Sequence, residues 1–298
     1  MLEIGSKQIR VDGYLCRIAR LDAELYVSLS TPQEILEQLR SSGERVDLFT
    51  FMQMPPETSP KFRHPMEWDN VAALEISTFE HWWNKQIGKK TRNMVRLSEK
   101  RGVTLREVVF DDVLAQGIWE MYNECPIRQG RRFAHYGKDI TTVRKMTATF
   151  LDRSIFIGAF FEDKLIGFAK LTANEAGTQV GIMNILSMIS HRDKAPANAL
   201  VAEAVRSCAK RNIPYLLYSK FAYGGKEKDG LIEFKERNGF RRVNLPRYYV
   251  PLTWVGLVTL RLGLHRSIAS HVPECLLSRL REWRTAWYKH RFDLQEAA

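Results

Sequence analysis

The sequence predicts a mixed α/β fold, and three observations carry that reading. Between residues 103 and 250, apolar runs of strand character alternate with segments of helical spacing in the order β-α-α-β-β-β-α-β-α-β. Two of those runs, 154–161 and 164–171, are separated only by Glu162 and Asp163, the length of a tight hairpin turn. A helical pattern follows the strand over 178–189 after a short polar loop and opens on Pro196, in the first turn, where the missing N–H leaves no bond unmade.

Each element has a local cause. Residues 103–110 read as a strand. Asp111 or Asp112 then caps a helix over 111–123, because a carboxylate there accepts the orphaned N–H groups of the first turn. A polar link leads to a helix over 139–151. Strands over 154–161, 164–171 and 178–189 follow, the last after Ala176-Gly177. In 196–211, Leu200, Val201, Ala204, Val205 and Cys208 recur at helical spacing. A strand over 215–221, a helix over 230–238 closed by Gly239, and a strand over 240–250 complete the order.

The first third reads as β-β-α-β-β, from alternation over 14–21, a helix over 32–39 capped by Thr31, and apolar runs over 46–52 and 71–76. Residues 79–101 set Trp82, Trp83, Ile87, Met94 and Leu97 among Lys85, Lys89, Lys90, Arg92, Arg96, Lys100 and Arg101. They read as one basic helix ending at Gly102, whose tryptophans pack inward or whose cations track a polyanion. Beyond the last strand, Leu276, Leu280, Trp283 and Trp287 form a helical stripe opposite Arg279, Arg281, Arg284 and Lys289. Such a stripe packs on a domain or lies on an anionic membrane.

With 45% hydrophobic and 27% charged residues, the 298-residue chain belongs among folded globular proteins and not disordered ones. The net charge of +11 favours anionic partners such as phosphorylated cofactors, nucleic acid or acidic lipid, or else only solvates the surface. Cys16, Cys125, Cys208 and Cys275 lie far apart and the histidines are scattered, so neither a disulfide nor a metal site is expected. The polar start of the chain and the short apolar run 254–260, stopped by Arg261, predict no secretory leader and no spanning helix. The expected location is cytoplasmic, either free or peripheral at the inner face of a membrane.

The element order, the hairpin Ile157-Gly158-Ala159-Phe160-Phe161-Glu162-Asp163-Lys164-Leu165-Ile166-Gly167 and the helix end Phe234-Lys235-Glu236-Arg237-Asn238-Gly239-Phe240 together resemble the GNAT superfamily of acyltransferases. With the basic stretch ending Arg101-Gly102, the layout is similar to the FemAB-like branch, in which two GNAT-like halves are fused. The resemblance implies a GNAT (acyl-CoA N-acyltransferase) fold. It would comprise a degenerate N-terminal half over 1–102, a complete catalytic half over 103–251 and an amphipathic helical extension over 252–298.

GNAT proteins hold the cofactor pyrophosphate on a loop of pattern R/Q-x-x-G-x-G/A at a helix N-terminus. Here Arg192-Asp193-Lys194-Ala195-Pro196-Ala197 stands in that place, with Arg192 and Ala197 matching and Ala195 where Gly is expected. The resemblance puts cofactor contacts on Leu186, Ser187, Met188, Arg192, Lys194, Ala195, Ala197 and Asn198, with the oxyanion donor a backbone N–H of 186–188. It also makes Tyr223 the proton donor to the departing thiolate, with Tyr218 as its rival. Base candidates are Glu124, His135 and Glu175. Arg128, Arg131, Arg132, Phe133 and Tyr136 suit an acidic or sugar-bearing acceptor, or form a solvated loop.

The activity implied is transfer of an acyl group from acetyl-CoA or a longer acyl-CoA to an amine, by direct attack in a ternary complex. Two alternatives stand beside it: FemAB-type transfer from aminoacyl-tRNA, and a non-catalytic adaptor that binds a membrane or a protein.

Overall fold

The computed structural model describes residues 1–266 except 6, 28, 30 and 223–229, and beyond them 279, 283, 284, 286 and 287. In chain order the first elements are β1 (Leu2–Ile4), β2 (Lys7–Asp12), β3 (Ile18–Leu21), α1 (Pro32–Ser41), β4 (Leu48–Met52) and β5 (Met66–Glu75). Next come α2 (Phe79–His81), α3 (Lys89–Lys100), β6 (Thr104–Val108), α4 (Asp112–Asn123), β7 (Ile127–Arg128), β8 (Arg131–Arg132) and α5 (Ile140–Thr147). The remainder is β9 (Ser154–Phe161), β10 (Lys164–Ala173), β11 (Gln179–Ser187), α6 (Pro196–Lys210), β12 (Tyr215–Leu217), α7 (Gly230–Arg237), β13 (Arg241–Pro251) and α8 (Trp254–Arg261).

The chain forms two units interleaved in sequence. The first takes residues 1–76, 173–181 and the described part of 213–267. Its strands run in the order β1-β2-β3-β4-β13-β5-β12. The long β13 is antiparallel to both neighbours, with Tyr248 opposite Phe51 on one side and Met66 on the other. The start of β11 pairs with β12 in parallel, and this pairing ends at Gly181 opposite Leu217. Ile9, Leu36, Leu39, Phe49 and Phe51 pack into a core with Tyr248, whose hydroxyl donates to Gln53 Oε1 at 3.1 Å and accepts from Lys61 N at 2.8 Å. That pairing removes the cost of burying a phenol.

The same unit holds a partly buried ionic cluster. Arg247 Nε donates to Asp69 Oδ2 at 2.8 Å and its Nη2 to Glu24 Oε2 at 2.7 Å, while Lys220 reaches Asp69 at 2.9 Å.

The second unit takes residues 77–172 and 182–212, with the described residues after 268. Its strands follow the order β6-β9-β10, with the rest of β11 next to β10. The expected turn is present: Glu162 and Asp163 adopt positive φ of 49° and 60°, the geometry that joins two right-twisted strands tightly. Asp111 and Asp139 cap α4 and α5, accepting from Leu114 N and Thr142 N, each at 2.8 Å. Thr31, expected to cap α1, makes no side-chain cap bond, and Pro32 opens that helix instead.

The single basic helix expected over 79–101 is broken. A π turn over Trp82–Gln86 follows α2, and Gly88 is extended before α3 begins. Arg92 accounts for the break, because its Nη1 donates to Trp83 O at 2.9 Å and to Ile87 O at 2.7 Å, which satisfies carbonyls the helix leaves open. Trp82 is fully buried, so this tryptophan packs inward. Helix α5 stops at Thr147, short of residue 151, where the buried Lys170 donates to Thr147 O at 2.8 Å and to both oxygens of Thr149. Burial pushes the Lys170 amine down to about 8.

No described helix is long and apolar enough to cross a membrane. Among the described residues no group of His, Cys, Asp and Glu is arranged to hold a metal ion.

Candidate active site

The segment after α4 turns back through a tight hairpin. Gln129 and Gly130 take positive φ of 53° and 69°, so Ile127 pairs with Arg132 and Arg128 with Arg131. This geometry turns Arg128 inward and leaves Arg131 and Arg132 exposed. The Arg128 guanidinium donates to Ser187 O at 2.8 Å, to Met121 O at 3.0 Å and to Glu124 Oε2 at 2.9 Å, and it lies 5.1 Å from the Phe133 ring centre. Its Nε is buried with no partner. Burial lowers the Arg128 pKa, and the charge of Glu124 only partly offsets this.

Glu124 links the same region to the segment before α6. One of its oxygens accepts from Ile189 N at 2.7 Å and the other from Ser190 N at 3.0 Å and Ser190 Oγ at 2.8 Å. Burial raises its carboxyl, but the Ser190 and Ile189 donors and the charge of Arg128 outweigh that and leave it below the usual range. A carboxylate so committed is a poor proton acceptor. Its place is that of a clamp between α4 and the turn ahead of α6.

His135 has the opposite environment. Its ring stacks on Tyr122, with centres 4.5 Å apart and planes 20° apart, and meets Phe133 edge-on at 5.2 Å. Burial and the charge of Lys138 hold its pKa below 6.5, so the imidazole is neutral at pH 7. Its Nδ1 is buried without a partner. A neutral imidazole has one N–H and one lone pair, and at Nδ1 neither is answered by a protein partner. The third base candidate, Glu175, belongs to the first unit and pairs with Lys7 at 3.3 Å.

The loop over 192–197 also has a defined geometry. Ala195 takes φ 52° and ψ 40°, the left-handed conformation for which glycine was expected, and Pro196 follows as the first residue of α6. The backbone shape of a glycine loop is thus present on an alanine. Its donors are reduced: Pro196 has none, Ala195 N is bonded to Arg192 O at 3.0 Å, and Asn198 N to Ala195 O at 3.2 Å. The Asp193 carboxylate lies among the cations, 2.8 Å from Arg101 and 3.6 Å from Lys194. Lys194 also sits 4.5 Å from the Phe161 ring centre, whereas Arg192 is exposed.

No family model matches the chain, and no curated protein does. Solved structures do match. The structure of L-PGS from Bacillus licheniformis aligns at a TM-score of 0.56 and 14% identity, over 86% of this chain and 84% of that one. The C-terminal domain (DUF2156) of a lysylphosphatidylglycerol synthetase, so described with reservation, from Agrobacterium fabrum aligns at 0.52 and 13% identity, over 88% and 89%. The crystal structure of FemX aligns at 0.49 and 13% identity, over 74% and 70%. The fold is similar to that of the first two of these structures, whose TM-scores exceed 0.5.

Within this fold the expected cofactor residues separate. The Met188 N–H is bonded to Ile166 O at 2.8 Å and so is not free to hold an oxyanion in this state. Glu124, Arg128, His135, Ser187 and the 192–197 loop all belong to the second unit. Tyr223 lies outside the described residues. Its rival Tyr218 is half-buried in the first unit and meets Phe240 edge-on at 5.7 Å.

A cleft of about 810 Å³ beside β6 and α4 is lined by none of these residues. Three of its five carboxylates are committed elsewhere: Glu107 to Arg211, Asp111 to the α4 cap and Asp112 to Arg144. Size alone therefore does not make it the reaction centre. Sequence reasoning placed Arg128 among the acceptor-loop cations but missed its contact with β11. It also missed Ser190, which carries no signal of its own.

Proposed function

We propose that this protein is an acyltransferase in which an acceptor amine attacks an activated acyl carbonyl directly, with His135 as general base. The observation that carries this reading is the neutral, ring-stacked His135 with its orphaned Nδ1, on the loop whose Arg128 is bonded to the end of β11. The amine donates its proton to His135 as the C–N bond forms. Arg128, less than fully compensated, attracts an anionic group of the acceptor, and Glu124 holds the two segments in register. Tyr223 is the proposed proton donor to the leaving group. Residues 103–251 are the proposed catalytic part.

For the donor, acyl-CoA is the first reading. Arg192, Lys194, the backbone of Ala195 and Ala197, and Asn198 would hold its phosphates, with the acyl carbonyl facing Leu186 and Ser187.

A second reading, transfer from aminoacyl-tRNA, is favoured by two specific observations. Asp193 sets a negative charge within the loop. Lys85, Lys89, Lys90, Arg96 and Lys100 are all exposed on the segment that ends in α3, which packs against α6. Calorimetry separates the two donors. Binding of acetyl-CoA or a longer thioester supports the first; salt-sensitive tRNA binding with no response to any thioester supports the second. Binding of neither removes acyl transfer from both carriers.

A further inference from the structure

Helix α8 is inside out. Across its first two turns the residues facing the protein are Gly256 and Thr259, both buried, whereas Trp254, Leu257 and Val258 face outward at 75%, 37% and 43% exposure. Positions 254, 257, 258 and 261 share one face of a helix, so Arg261 extends the same stripe, and Leu262 and Leu264 continue it at 65% and 66% exposure. An amphipathic helix of a globular protein normally buries this face.

The orientation is fixed at both ends. At the start, Thr253 Oγ1 donates to Asp47 Oδ1 at 2.7 Å and accepts from Gly256 N at 3.3 Å. Gly256 lies so close to the Asp47 carbonyl that an added Cβ would stand 1.8 Å from it, so no larger residue fits and the helix cannot roll. At the end, Gly263 takes φ 70°, and the Leu264 N–H closes on Thr259 O at 3.0 Å. Beyond it His265 and Arg266 are held by Glu67, at 3.0 and 2.7 Å.

Asp47 ties a second apolar projection to the same place. Its carboxylate accepts from Arg17 N at 2.9 Å and pairs with Arg45 at 3.2 Å, and Arg45 in turn donates to Leu15 O at 3.2 Å. Leu15 and its neighbour Tyr14 are 82% and 94% exposed. Asp47 thus bonds both the segment that starts α8 and the arginine held by Leu15 O, on a chain of net charge +11. Arg261 makes no ion pair among the described residues.

We infer that α8 is a membrane-docking face: Trp254, Leu257, Val258, Leu262 and Leu264 enter the interfacial layer of a bilayer, and Arg261 engages anionic headgroups. Charge selects the occupant, since a face of large apolar groups bearing an arginine with no ion pair among the described residues, on a strongly basic chain, is complementary to an acidic lipid surface. The surface is distinct from the site around His135 and does not depend on the proposed chemistry.

Flotation of the full chain with vesicles tests it. Vesicles of phosphatidylcholine with phosphatidylglycerol at about one lipid in four should carry the protein upward, and pure phosphatidylcholine vesicles should carry it at least several-fold less. The combined variant Trp254→Ser, Leu257→Gln, Leu262→Gln should lower vesicle-bound protein by roughly tenfold or more, and Arg261→Glu alone should weaken binding only to anionic vesicles. Trp283→Ser with Trp287→Ser should leave flotation by α8 in place. Unchanged flotation of the α8 variants, with unfolding temperatures at wild-type values, would overturn the inference. So would failure of the wild type to float with anionic vesicles, or a wild-type dimer in light scattering that the α8 variant converts to monomer, which would make the face a self-interface.

Discussion

Two buried arginines divide the molecule by purpose. Arg247 has a carboxylate on each side, Glu24 and Asp69, and although burial disfavours its charge, those partners outweigh the penalty and raise its pKa. Arg128 is buried to a similar degree, with side-chain exposures of 12% against 15%, yet it has one carboxylate, two backbone carbonyls and an unpartnered Nε, and its pKa is lowered. A closed cluster fixes a fold, because each charge is answered inside the protein. An under-compensated one keeps attraction in reserve for a ligand, and it is this arginine that adjoins His135's loop and the end of β11.

Breaking the closed cluster should give the largest effect on stability. Arg247→Met leaves Glu24 without its cation and Asp69 with Lys220 alone, and should cost about 3–5 kcal/mol in urea unfolding. A cost below about 1 kcal/mol would remove the cluster from its role as a fold pin. The pH dependence follows from Asp69. Burial raises its carboxyl, but Arg247 and Lys220 outweigh that and hold it below the ordinary value of 3.8. The unfolded chain therefore binds the proton more readily, so this stabilisation is present above the unfolded pKa and is lost as pH falls through the folded one.

On the open side, His135→Gln should lower kcat/KM by roughly 10²- to 10⁴-fold while preserving the fold. In the wild type kcat/KM should rise with pH through a pKa below 6.5, and that limb should vanish in the variant. The stability sign agrees: the folded state resists protonation of His135, so its contribution declines as pH drops below 6.5 and levels off under the folded pKa. A wild-type profile in the variant would return the base role to solvent. Tyr223→Phe should have a smaller effect, roughly 10- to 1,000-fold on kcat with KM for the donor little changed; unchanged kcat with chemistry rate-limiting removes Tyr223.

The contrast also explains what the sequence could disclose. The Glu162-Asp163 turn, the cap at Asp111 or Asp112 and the Pro196 helix start were legible because each is decided within a few residues. The break at Gly88 was not, because it depends on Arg92 reaching back to Trp83 and Ile87. The short β1 was passed over, since three residues show no period. Glu24, Asp69, Lys220 and Arg247 are unremarkable singly and meet only in the folded sheet. Lys170 did leave a signal, one charge within the apolar run Leu165–Leu171, which marks a buried amine needing acceptors. At the site, His135 was a candidate by residue type, but its neutrality comes from Tyr122, Phe133 and Lys138, which no spacing rule assembles.

Ala195 offers the finest test of the comparison, because it separates a loop shaped for a ligand from a loop that only starts a helix. A left-handed alanine costs about 1–2 kcal/mol through its Cβ, and glycine returns roughly 0.5–1 kcal/mol of that as greater freedom of the unfolded chain. Ala195→Gly should therefore stabilise the protein by about 0.5–1 kcal/mol whatever the loop does, as read from the urea midpoint at unchanged slope. Ligand binding is the discriminating readout. If the loop holds the phosphates of coenzyme A, Asp193→Asn should strengthen acyl-CoA binding by roughly tenfold, because it removes a negative charge placed between Arg101 and Lys194, and the gain should shrink in high salt. If acyl-CoA affinity stays the same in Asp193→Asn while Ala195→Gly still gains stability, the loop is a helix start alone, and the anion-seeking side of the molecule is Arg128 together with the exposed cations ahead of and along α3.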